Sequence, residues 1–248
     1  MVQEVLRLKV IVVHGSPRKG NTYAIAQIFK NEMMACGDVE IKEFFLPQDL
    51  PEFCMGCFLC LSESEQLCPH SKYTLSILDN LLDADALIFT TPVYVLQTTG
   101  AVKAFFDHFS WMFIVHRARP EMFSKKAFVL STTAGAGTRA AMKTIKTNLK
   151  FWAVNRIYSL GFAMRAINWE TVKPRRREKF ESKLKKSARR FYREVASGKK
   201  HSPYMITRLM FYFRRDMLKK DLASQSDESA IADVKHWQEQ DWFNKNPF

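Results

Sequence analysis

Leu8-Lys9-Val10-Ile11-Val12-Val13, running into His14-Gly15-Ser16-Pro17-Arg18-Lys19-Gly20-Asn21-Thr22, decides the fold. The near-continuous apolar, β-branched run reads as a strand buried on both faces. Gly15 and Gly20 permit a tight turn, and a helix is expected over roughly residues 21–35. Free backbone N–H groups at that helix start point at an anion, helped by the helix dipole and by Arg18 or Lys19. Asn21 stands where a Walker A loop needs its lysine, so a nucleoside triphosphate is disfavoured. The dinucleotide fingerprint G-x-G-x-x-G is also absent, and what remains suits one terminal phosphate.

Outward from this turn the pattern repeats. Val39 to Leu46, Ala86 to Thr91, Lys126 to Thr132 and Arg156 to Met164 read as further strands. Helices are expected before Asp85 and over about 99–116, 138–152 and 174–197. Continuous apolar strands alternating with helices give an α/β fold, a doubly wound parallel sheet covered on both faces. Such sheets bind ligands beyond the carboxyl ends of their strands. The loops there are Thr91-Pro92-Val93-Tyr94-Val95-Leu96-Gln97 and Thr132-Thr133-Ala134-Gly135-Ala136-Gly137-Thr138. With the first turn they form a slot for a planar heterocycle. Backbone N–H groups of these loops, the Thr91–Tyr94 loop among them, are expected to meet the polar edge of that ring.

G-S-P-R-K-G-N-T after the first strand and T-P-V-Y after the third resemble the flavodoxin-like NAD(P)H-dependent FMN reductase family. Lys103 to His108 resembles its K-x-F-x-D-R helix, with His108 in place of the arginine. The resemblance covers roughly residues 8–165 and implies five strands in the order 2-1-3-4-5, with FMN at the switch point. It implies that Ser16, Arg18, Gly20, Asn21 and Thr22 hold the phosphate. Pro92, Val93 and Tyr94 flank the isoalloxazine, with Tyr94 near nicotinamide or substrate, and Thr133, Ala134, Gly135 and Gly137 meet its far edge. The implied activity is electron transfer from NAD(P)H to a small-molecule acceptor such as a quinone, nitro compound, flavin or metal ion. A homodimer or higher homo-oligomer is also implied.

Cys54, Cys57, Cys60 and Cys68 form C-x2-C-x2-C-x7-C within a cysteine-rich loop at 53–70. Thiolates at this pitch can converge on one centre. The motif resembles the iron–sulfur flavoprotein branch of the same family, implying a [4Fe–4S] cluster and a ferredoxin-like partner. The last gap is longer than that branch leads one to expect. Thiols that merely line the flavin pocket, or a zinc site, stay open beside the cluster. Cys36 reads as a small buried hydrophobe, and His14, His70, His108 and His116 show no ligand spacing.

The 248 residues carry 38 Lys+Arg against 25 Asp+Glu, a net +13, and 47% are hydrophobic. Such a composition excludes wholesale disorder. No stretch approaches the roughly 20 apolar residues of a membrane span, and a cytoplasmic location with reduced cysteines is expected. The charge is uneven: residues 1–172 carry +3, 173–200 +10, 201–220 +4 and 221–248 −4. Residues 1–200 read as the FMN-binding domain and 201–248 as a C-terminal helical and aromatic extension. Phe180, Leu184, Phe191 and Val195 mark the buried stripe of a helix whose basic face is solvated, which makes nucleic acid and membrane disfavoured partners. Met205 to Phe213 is expected to pack on a second subunit or across the flavin site, with an interfacial membrane helix as the lesser reading. Trp237, Trp242, Phe243 and Phe248 suggest a strap docked on the body.

Overall fold

A computed structural model describes residues 7–224 and 231–248. In chain order the strands are β1 Leu8–His14, β2 Val39–Phe45, β3 Ala86–Pro92, β4 Lys126–Thr133 and β5 Arg156–Ala163. All pair in parallel, in the order β2-β1-β3-β4-β5. The helices are α1 Asn21–Met34, α2 Leu59–Ser62, α3 Ser71–Asp83, α4 Gly100–His108, α5 Thr138–Phe151, α6 Pro174–Ala196, α7 Met205–Ser224 and α8 Ile231–Glu239. The fold is the flavodoxin-like one expected.

Strand periodicity explains why the central strands are apolar throughout. Side chains alternate between the faces, and here both faces are covered. Ile11, Val13, Leu87, Phe89 and Val129 join one core with α3, α4 and α5. Val10, Val12, Ile88, Phe128 and Leu130 join the other with α1 and α6. Leu184, Ala188, Phe191 and Val195 are the buried face of α6, and Phe180 is half-buried.

Two local expectations need correction. The helix expected over 99–116 stops at His108 and gives way to a 3-10 turn at Ser110–Met112. Phe105, Phe106, Phe109, Trp111, Met112 and Ile114 are all buried, so this stretch has no polar face to sustain an amphipathic helix. Cys36 is exposed, because α1 ends at Met34 and leaves it in the following turn.

The C-terminal helices build a third core. Phe211 and Leu218 of α7, Trp237 of α8, and Trp242 bury against Ile114, Ala118 and Ala153. Phe211 stacks on Trp237 with ring centroids 4.8 Å apart. The aromatic end is thus docked on the body. Met205–Phe213, however, does not cross the carboxyl ends of the strands. Thr207 Oγ1 donates to the Lys150 carbonyl at 3.0 Å, and the Ile157 N–H donates to Tyr204 Oη at 3.1 Å. These contacts place α7 beside the start of β5, at the amino ends of the strands, with its inward face on its own chain.

Candidate cofactor cleft and cysteine pocket

A cleft of about 270 Å³ opens at the carboxyl ends of β1, β3 and β4. Ser16, Arg18, Gly20, Asn21, Thr22, Pro92, Val93, Tyr94, Thr133 and Ala134 line it, ten of the twelve residues expected at a flavin. Gly135 and Gly137 do not. Thr132, from the loop already singled out, lines it as well, as do Ala166 and Ile167, the last two of which were missed. The usable signal for the last two was the switch-point rule, since β5 also ends at this edge of the sheet.

Each wall has a local cause. A Cβ on Gly15 would lie 2.4 Å from Val102 Cγ2 and 2.8 Å from the Thr90 carbonyl, so only glycine lets the β1–α1 turn sit this close to α4. Thr99 caps α4 and donates from Oγ1 to the Gly15 carbonyl at 2.7 Å. The start of α1 has no side-chain cap and no acidic residue in its first turn, which leaves its N–H groups and dipole facing the cleft.

Asn21 and Thr22, expected at the phosphate, also make hydrogen bonds within the protein. Asn21 Nδ2 donates to the Ala166 and Ile167 carbonyls at 3.1 and 3.2 Å, clamping the turn after β5. Its Oδ1 is buried with no hydrogen-bond partner. The Thr22 and Thr132 hydroxyls pair at 2.6 Å.

The far wall is a tight hairpin. Tyr94 and Gln97 exchange backbone hydrogen bonds at 3.0 Å, and the two residues between them, Val95 and Leu96, have φ of 47° and 62°. Positive φ at both central residues matches a type I′ turn, and for a β-branched valine it is strained. Gly137 (φ 101°) supports the hairpin from behind: a Cβ there would lie 2.8 Å from Val93 Cγ1 and 3.1 Å from the Leu96 backbone. The Val93 N–H donates to the Thr132 carbonyl and the Tyr94 N–H to Gln97. These amides are therefore already committed, contrary to the role expected for them.

Beneath the cleft, at the end of β1, lies a buried polar chain. His14 Nε2 is 2.6 Å from Glu43 Oε2, His14 Nδ1 is 3.0 Å from Thr90 Oγ1, and Lys30 Nζ is 2.6 Å from the same Glu43 oxygen. Burial pushes the His14 pKa down despite the carboxylate, so the neutral ring donates from Nε2 and accepts at Nδ1. For Glu43, burial acts upward, but hydrogen bonds from Lys30 and His14 outweigh it and hold the pKa below the usual range.

Cys54, Cys57, Cys60 and Cys68 line a second, smaller pocket together with Met55, Phe58, Pro69, His70 and His108. Burial and the three neighbouring thiols push Cys60 up to about 11. Among the described residues, no three His, Cys, Asp or Glu groups are gathered so as to hold a single metal ion. Sequence spacing gave no hint of the histidines here: His70 Nδ1 meets His108 Nε2 at 2.8 Å, and His108 Nδ1 meets the Ala104 carbonyl. His108 is the residue that departs from the family's helix motif.

The family model for NADPH-dependent FMN reductase matches residues 8–165, well over half of the chain. The chain belongs to that family. As a member of the FMN reductase family it is an oxidoreductase, with FMN and NAD(P)H as the family's cofactor and cosubstrate. An iron-sulfur flavoprotein of Clostridioides difficile is 24% identical over 235 residues, covering 93% of this chain and 98% of the relative. One from Methanocaldococcus jannaschii is 27% identical over 158 residues, covering 62% and 75%. Solved structures share the fold. An azoreductase from Bacillus anthracis superposes with TM-score 0.57 at 14% identity, covering 75% of this chain and 99% of that one. An NADH:FMN oxidoreductase gives 0.54 at 20% identity, covering 81% and 94%.

Proposed function

We propose that this FMN reductase oxidises NAD(P)H and passes the electrons to a small acceptor, such as a quinone, nitro compound, flavin or metal ion, with FMN held in the cleft. The observation that carries this reading is the uncapped start of α1 facing a cleft whose buried Asn21 Oδ1 lacks a donor. A phosphate answers the first and the hydroxyls of a ribityl chain answer the second, so the residues present fit the group.

When bound, the flavin supplies the redox chemistry, which is why no catalytic side chain is needed. The chain's own residues bind and orient. The first N–H groups of α1, with Ser16 and Arg18, hold the phosphate. Asn21 ties the Ala166–Ile167 turn over it. Pro92, Val93 and the Tyr94–Gln97 hairpin form one wall for a planar ring, while Ala134 in the β4–α5 turn lies at its polar edge. Tyr94, half exposed at the rim, offers its ring to the incoming nicotinamide or acceptor. The test is anaerobic mixing of FMN-loaded protein with NADH or NADPH, followed by a panel of acceptors. Bleaching of the flavin band and its return with acceptor support the reading; indifference to both nucleotides contradicts it.

The pocket shared by four cysteines favours a second cofactor, a [4Fe–4S] cluster on Cys54, Cys57, Cys60 and Cys68. The C-x2-C-x2-C-x7-C spacing supplies four thiols, the ligand number such a cluster needs. Bound there, it would supply one-electron exchange with a ferredoxin-like partner. Iron and acid-labile sulfide content after anaerobic purification tests it: about four of each per chain supports the cluster, and none contradicts it.

A further inference from the structure

Helix α7 has two apolar faces, and its own fold uses one. Thr207, Phe211 and Leu218 face the body, and Arg214 reaches inward to Asp233 at 3.0 Å. On the opposite side Met205, Leu209, Phe213 and Met217 recur every four residues, with Ile206 beside them, along about 18 Å of helix. All five are exposed: Met205 by 77%, Leu209 by 56% and Phe213 by 60%. A contiguous apolar stripe left in water marks an interaction surface.

The flanking charges decide what covers it. Arg208 and Lys219, at i and i+11, run as a cationic row along one border of the stripe, while Arg215 between them is half-buried with its guanidinium over the Phe211 and Tyr212 rings. Lys199 and Lys200 are exposed just before the helix, and α7 itself carries five basic residues against two acidic ones, Asp216 and Asp221. We propose that α7 lies along an anionic lipid surface, with Met205, Leu209, Phe213 and Met217 entering the headgroup boundary and the cationic row on the phosphates. Long Arg and Lys stems suit this position, since they cover apolar surface while their heads reach outward.

A second copy of this chain fits less well. Pairing the stripe with itself would set like charges side by side. A bilayer demands no complementary copy. The sequence alone disfavours a membrane partner, because it cannot tell which apolar residues of 205–217 stay outside. Membrane contact here leaves the cofactor cleft open, since α7 sits at the amino ends of the strands and the cleft at their carboxyl ends.

The test is vesicle flotation of the full-chain protein with phosphatidylglycerol–phosphatidylcholine or pure phosphatidylcholine. The protein should float with the anionic vesicles, not with the neutral ones, and less as salt rises. Leu209→Ser with Phe213→Ser, and separately Arg208→Glu with Lys219→Glu, should each lower binding about tenfold or more. Near-UV circular dichroism should be unchanged, because these side chains are exposed. In Phe213→Trp, emission should shift to the blue on anionic vesicles. Failure of the protein to bind anionic vesicles overturns the proposal, as does undiminished binding by the serine variant. A serine variant that converts a dimer to a monomer while still binding vesicles assigns the face to self-association, and the proposal falls.

Discussion

Asp233 Oδ1 on α8 lies 3.3 Å from Arg117 Nη1, and both side chains are buried. Arg117 in turn donates to the Cys60 and Leu61 carbonyls, so the C-terminal extension holds the cysteine turn in place. Asp233 also pairs with His116 at 2.9 Å and Arg214 at 3.0 Å. Removing it leaves buried Arg117 with only Glu65, 3.7 Å away, and half-buried Arg214 without its anion. Asp233→Ala should cost about 3–5 kcal/mol in denaturant unfolding. Hydrogen exchange at residues 57–62 should rise at the same time, with the β1–α1 turn unaffected.

Asn21 performs two tasks that a smaller residue cannot. Asn21→Ala frees the Ala166–Ile167 turn and removes the buried acceptor, so FMN affinity should fall roughly tenfold to a hundredfold, about 1.4–2.7 kcal/mol. Fluorescence titration checks the loss. Asn21→Asp should weaken binding further, and more so at low salt, because it adds a negative charge beside the phosphate.

Gly137 acts at one remove from the cleft. Its φ of 101° and the close approach of Val93 and Leu96 leave no room for a Cβ. Gly137→Ala should destabilise the fold by about 1–3 kcal/mol and displace the 94–97 hairpin. The expected signature is an altered absorbance band of bound flavin together with a lower melting temperature.

The strands and the β1–α1 turn were legible because they follow from local rules: apolar runs make buried strands, and glycines with small polar residues make strand-end turns; the strand order and the positions at the flavin came from the resemblance to the FMN reductase family. Ala166 and Ile167 were legible only by position, since β5 ends at this edge of the sheet while nothing in an alanine and an isoleucine announces a ligand; the clamp from Asn21 brings them in. The commitment of the Val93 and Tyr94 amides was equally hidden, being a consequence of hairpin closure. Nor could periodicity separate the two apolar faces of α7, because Phe211 and Phe213 look alike until one is buried. His70 and His108, 38 residues apart, meet only through tertiary packing.

Stability should depend on pH in a defined window. Lys125 is buried, donates from Nζ to the Leu82 and Ala84 carbonyls, and has its pKa lowered to about 8 by burial, against 10.5 for the free side chain. Between those values the unfolded chain binds the extra proton, so this group makes the fold more stable as pH rises from about 8 to 10.5, by about 3 kcal/mol in all. Cys60 works in the opposite sense: its pKa is raised from 9.0 to about 11, so its contribution is present below pH 9 and lost between 9 and 11. Denaturant melts at pH 8 and 9 should show the rise, and Lys125→Met should flatten it.

Thiol reactivity reports on the same burial. With its pKa near 11, only about one Cys60 in a thousand is thiolate at pH 8, so iodoacetamide should label it slowly, with a rate climbing about tenfold per pH unit. Mass spectrometry of the modified peptide checks this. A cluster bound at these thiols should release protons on assembly and abolish the labelling.

The central claim is that the cleft between the α1 start and the Tyr94–Gln97 hairpin holds FMN, and titrating flavin-free protein with FMN while following flavin fluorescence tests it most directly. Saturable uptake of one FMN per chain, weakened by Asn21→Ala and unaffected by Leu209→Ser, is the predicted result. Protein that takes up no FMN, or takes it up equally well after Asn21→Ala, would contradict it.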